Sequence, residues 1–152
     1  MKKKTVKGTL TLLTAIILVG VLALTFTACG GDSDSQNVLI VTGIPSGVFN
    51  SAYSNGALGL YPPGTTVSDA IGWQGLVAGA FFDDYGVTFL QAGGNYNVTF
   101  PLYRPNSSPW SGSGTYDVYC IIGSSSYYRA SSVNFSGSST TVPWSSITQV
   151  YP

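Results

Sequence analysis

From residue 38 onward a turn signal interrupts the chain every few residues, and that short spacing limits the fold more than any other feature. Pro45-Ser46-Gly47, Asn55-Gly56, Pro62-Pro63-Gly64 and Asp83-Asp84-Tyr85 punctuate the first half, and a loop rich in Pro, Asn, Ser and Gly spans 104–114. Between them lie short runs of β-branched and aromatic residues at 38–44, 48–52, 57–61, 76–82, 86–90, 96–103, 115–123, 127–135 and 140–144. Such runs bounded by turn residues predict strands, and Asn-Gly between two of them predicts a hairpin. Helical periodicity is absent. Within 65–74 Ser68 can cap a short helix, but Gly72 and Gly75 disfavour a long one. The pattern predicts an all-β fold, a single antiparallel β-sandwich over residues 38–152, with a small closed barrel as the alternative.

Alternation sharpens individual strands. Tyr96, Val98 and Phe100 fall on one face against Asn95, Asn97 and Thr99, and Pro101 places the end of that strand at an edge or bulge. In 115–123 Cys120 shares a face with Tyr116, Val118 and Ile122. A free cysteine there behaves as a small hydrophobe.

The amino terminus has a different texture. Lys2, Lys3, Lys4 and Lys7 precede an apolar run over 10–28, the layout of a secretory signal. The run ends in Thr25-Phe26-Thr27-Ala28-Cys29, which resembles a bacterial lipobox. In that family a small residue precedes the lipidated cysteine, as Ala28 does. The usual Leu three places before it is Phe26 here, which keeps the apolar character. The resemblance implies a signal peptide over 1–28, removed by processing, and a Cys29 carrying two or three acyl chains such as palmitate. Two or more chains give stable membrane anchoring. Residues 29–37 then form the lipidated cysteine and a flexible polar tether. No Asp follows Cys29 directly; since some Gram-negative lipoproteins carry Asp there as an inner-membrane retention signal, the resemblance implies an outer-membrane or surface location in the cell envelope. Residues 96–103 followed by Gly114-Thr115-Tyr116-Asp117-Val118-Tyr119 resemble the small β-modules of bacterial surface lipoproteins; this likeness carries no functional residue across.

Composition is most telling after residue 28. Of 152 residues, 124 remain, with Arg104 and Arg129 as the only cations against six Asp, a formal charge of −4. Two arginines cannot neutralise a run of phosphates, so a nucleic-acid partner is excluded. No His occurs anywhere, and all four Lys lie in the first seven residues. Ser-His-Asp, Cys-His and Ser-Lys machinery therefore cannot be assembled, and one remaining thiol cannot build a zinc site. The expectation is a non-catalytic protein without cofactor or metal. Asp83 and Asp84 are read as turn residues, with a weaker alternative as calcium ligands.

One further segment is a candidate site. The loop 104–114 is long for a hairpin connection and carries Arg104, Asn106 and Trp110. Function tends to sit on long loops of rigid β scaffolds, and an indole beside amide and guanidinium donors can hold a sugar ring. The competing reading is that Trp110 folds back over the end of the sandwich. Together these features predict a lipid-anchored interaction module for a glycan or a surface protein. The alternative is a structural envelope lipoprotein with no small-molecule ligand.

Overall fold

The computed structural model describes residues 35–123 and 125–151; the expected signal peptide over 1–28, Cys29 and most of the expected tether lie outside the described residues. Nine strands form two packed sheets that do not close into a barrel, which is the β-sandwich read from the turn spacing. The chain runs through β1 (Val38–Pro45), α1 (Ser46–Ala52), β2 (Gly56–Tyr61), α2 (Val67–Ile71) and β3 (Ala78–Phe81). It continues through β4 (Thr88–Ala92), β5 (Asn95–Pro101), β6 (Gly114–Ile122) and β7 (Ser126–Phe135). β8 (Ser139–Pro143), a single 3₁₀ turn and β9 (Thr148–Tyr151) complete it. One sheet has the order β4-β5-β1-β8, the other β3-β2-β6-β7-β9. Among the described residues no helix is long and apolar enough to cross a membrane.

Pairing is antiparallel except between β1 and β8, where Val38 to Thr42 run parallel to Ser139 to Pro143. These strands are far apart in sequence, so no tight turn dictates their direction. Pro101 ends β5 opposite Val38, beyond Thr99, the last β5 residue that pairs with β4. That position lets a ring without an N–H sit in an internal strand.

The core lies between the sheets and follows the period of two. Leu39 and Val41 of β1 and Val98 and Phe100 of β5 face Leu58 and Leu60 of β2 and Val118, Cys120 and Ile122 of β6. Cys120 is buried among them as a free thiol, and desolvation pushes its pKa up to about 12. The five-stranded sheet is covered on its outer face as well. There α2 lays Ala70 against Tyr61 and Tyr119, whose rings meet edge to face at 5.4 Å. Tyr61 donates to the carbonyl of Ala70 at 3.2 Å and Tyr119 to that of Thr65 at 2.6 Å.

Two local expectations are corrected. Residues 48–52 belong to α1 instead of a strand. Phe49 and Ala52, three apart, are its buried face, and a single helical turn seats both where an extended segment would turn one outward. Asn55-Gly56 is therefore the exit from a helix: Asn55 donates to the carbonyl of Ala52 at 3.1 Å. Gly56 is required there, because a Cβ would lie 2.5 Å from the Ala52 carbonyl oxygen. In α2 the cap is Thr66, whose hydroxyl oxygen accepts from the Asp69 amide at 3.2 Å and donates to the Asp69 carboxylate at 2.7 Å.

Candidate functional site

β3 is an edge strand of the five-stranded sheet. A segment from the far side of the sandwich lies alongside it: the Gly79 amide donates to the Tyr103 carbonyl at 2.8 Å, and the Tyr103 amide returns a bond to Gly79 at 3.0 Å. Gly79 is also pressed against its other neighbour, β2, where a Cβ would fall 2.5 Å from the Leu58 carbonyl oxygen. Next to Tyr103, the loop folds tightly on itself. Arg104 donates its amide to Ser108 and accepts from Ser107, both at 2.8 Å. Asn106 accepts from the Ser108 amide at 3.1 Å and its hydroxyl at 2.7 Å. This is an Asx-type turn, so the Asn106 carbonyl is spent on loop shape.

The result is a groove of about 570 Å³, open to solvent, lined by Trp73, Phe81, Asp84, Tyr85, Tyr103 and Arg104 among others. Three of its aromatic rings are held out of the core: Trp73 is 42% exposed, Phe81 52% and Tyr85 97%. Trp73 and Phe81 lie 6.1 Å apart with their planes tilted by 48°. A second depression of about 650 Å³ shares this pair of rings and adds Asp83 and Asn55. The two aromatics therefore border both hollows.

Trp73 has an unusual backbone. It follows the Gly72 cap of α2 at φ +56°, in the left-handed region. That position after a helix ordinarily goes to Gly or Asn, because a Cβ there costs roughly 1–2 kcal/mol. The geometry is held by hydrogen bonds: Trp73 donates to Ala70 at 3.1 Å and Gln74 to Asp69 at 2.9 Å. A bulky residue is uncommon in this conformation.

The expected site residues separate. Trp110 is 3% exposed, its ring edge to face with Tyr116 and Phe135, each at 5.5 Å. Its amide donates to Leu102 and its carbonyl accepts from Asn37. The indole thus covers the end of the sandwich and offers no face to a ligand, which corrects its placement in a binding loop. Arg104 does line the groove; Asn106 does not. Asp83 and Asp84 border the two adjoining depressions, Asp84 the first and Asp83 the second. The Asp84 carboxylate accepts from the Phe81 amide at 2.7 Å, a turn role. Among the described residues no three His, Cys, Asp or Glu side chains cluster.

Trp73, Phe81 and Tyr85 were missing from the expected site. Phe81 was legible: in Phe81-Phe82 alternation turns one ring inward, and Phe82 is the buried one. Trp73 stands between Gly72 and Gly75 at the end of a short helix, a setting that reads equally well as loop. No family model matches this chain, and no curated protein sequence or solved structure matches it.

Chemically, the groove offers ring faces, one guanidinium and carboxylate and hydroxyl acceptors. It holds neither an imidazole nor an amine to move protons.

Proposed function

We propose that this chain is a lipid-anchored, non-catalytic binding module of the bacterial cell envelope, which takes its ligand in the groove between β3 and the Arg104 loop. The observation that carries the reading is Trp73, kept half-exposed in a left-handed conformation next to Phe81 and Tyr85. Exposed rings flanked by hydrogen-bonding groups suit the C–H faces of a saccharide, a ligand class that a surface-tethered domain would meet. Anchoring rests on the basic start, the apolar run and the Ala28-Cys29 junction.

One preparation tests both halves. Detergent phase separation of wild type and Cys29→Ala is expected to place the first in the detergent phase, processed, and the second unprocessed. On a glycan array the wild type is expected to bind and Trp73→Ala to lose most of the signal, while Trp110 is left untouched. A wild type that enters the aqueous phase removes the anchor from the proposal. A wild type silent against every glycan and every envelope extract removes the ligand and leaves a structural envelope protein.

A further inference from the structure

The groove carries a charge pattern as well as rings. Outside residues 1–28 the chain has two cations, Arg104 and Arg129. Arg129 is committed: its Nη2 lies 2.8 Å from the buried carboxylate of Asp117, the one ion pair among the described residues. Arg104 has no such partner there, is exposed, and lines the groove beside the rings. In a region of net charge −4, the single uncommitted cation therefore stands where a ligand would rest. A guanidinium recognises a carboxylate by two parallel N–H donations. The Asp84 carboxylate lines the same groove and has one oxygen in a bond to the Phe81 amide. Its other oxygen is available to accept from hydroxyl donors and repels a second anion.

From this juxtaposition we infer that the groove selects an acidic saccharide, with the sugar carboxylate on Arg104, a ring face on Trp73 and Phe81, and hydroxyls toward Asp84. The inference rests on the binding reading above and adds the ligand's charge. Carboxylate, hydroxyls and an apolar ring face occur together in uronic and nonulosonic acids. A neutral sugar would leave the guanidinium without its partner. The hollow on the other side of Trp73 and Phe81 gives room for a neighbouring sugar residue, so an oligomer fits better than a monosaccharide.

The test is a titration of the purified full chain in detergent with oligomers of uronic acids and of nonulosonic acids, each beside its neutral methyl ester. Free-carboxylate tripeptides serve as a comparison. At least one acid is expected to bind about tenfold or more tighter than its ester, and to weaken between 50 and 500 mM salt while the ester does not. Arg104→Gln should bring the acid down to the affinity of the ester. Arg104→Lys should restore part of the difference. Arg104 is exposed, so these variants should keep the wild-type circular dichroism. Esters that bind as tightly as acids, or a preference that survives Arg104→Gln, overturn the charge inference and leave a binding groove. Peptides that bind where no saccharide does overturn the saccharide. Silence of acids and esters alike overturns this inference together with the reading beneath it.

Discussion

Trp73 and Trp110 are the same side chain put to opposite uses, and stability measurements should tell them apart. Trp110 is enclosed by Tyr116 and Phe135, so Trp110→Ala leaves a large cavity and should cost about 3–5 kcal/mol. Trp73 gives up part of its burial and accepts a left-handed backbone. Trp73→Asn loses ring contacts but relieves that backbone, since Asn tolerates the conformation. Its unfolding free energy in urea should stay within about 1 kcal/mol of wild type, while binding in the groove is lost. A cost for Trp73→Asn as large as that for Trp110→Ala would make Trp73 a core residue and withdraw the site. The sequence left Trp110 open between a ligand contact and a cover for the end of the sandwich. Trp110 sits among Pro and Ser and looks exposed, yet the strand pairing of residues 102–110 brings it inside. What decides exposure here is tertiary contact, which neighbours in sequence do not record. Arg104 was legible because it lies on the long loop 104–114.

At the scale of elements, β5 to β8 match the predicted runs closely, because alternation over five or more residues is a strong signal. α1 and β9 were not legible. Seven residues are too few to display a helical period, and α1 exists because Phe49 stacks on Tyr96 at 3.9 Å and packs near Phe82 and Phe89. β9 has four residues, all exposed, and its only definition is the pairing with β7. The β6–β7 hairpin holds the most demanding polar arrangement among the described residues. An extra β7 residue stands opposite Asp117, between the Tyr116–Val133 and Val118–Ala130 pairs, and Asp117 is buried on the outer face of β6 that it shares with Tyr119. One carboxylate oxygen accepts from the Gly64 amide and from Arg129, each at 2.8 Å, and the other from the Ser132 amide at 2.9 Å. The guanidinium also lies over the Tyr119 ring at 5.8 Å. Asp117 thus ties the irregular hairpin to the turn before α2, and through α2 to the strand that frames the groove. Asp117→Ala would strand two backbone donors and a partly buried cation, a loss of about 3 kcal/mol or more. Asp117→Asn keeps the acceptor for one donor and should lose less. Urea midpoints of the two variants check the order; an Asp117→Ala midpoint equal to wild type would mean that the hairpin needs no polar tie.

Across the whole molecule, the inventory of titratable side chains sets how the fold responds to pH. No His is present, and Cys120 is held far from neutrality by its burial. Histidine is the side chain whose ordinary pKa falls in the interval from about pH 6 to 8, so without it the melting temperature should be flat there. Alkali is a different matter. Desolvation, with the neighbouring Tyr119 adding to it, raises Tyr61 from 10.0 to about 12, and desolvation raises Cys120 from 9.0 to about 12. Both groups therefore hold their protons more tightly folded than unfolded. The stability that comes from this difference is complete below the unfolded values, near pH 9. It is lost progressively as the pH climbs through the folded ones, near pH 12. The melting temperature should consequently begin to fall above about pH 9 and keep falling toward pH 12. Desolvation raises Tyr119 in the same direction, so Tyr61→Phe removes one of three such groups, and with it the hydroxyl bond to Ala70. It should flatten the alkaline slope even though it lowers the plateau. Thiol reagent should react with Cys120 at the rate of unfolding instead of the rate of a free thiolate, since the sulfur lies between the sheets. Immediate labelling at pH 8, or an alkaline slope unchanged by Tyr61→Phe, would show that the sandwich is more open than its packing implies.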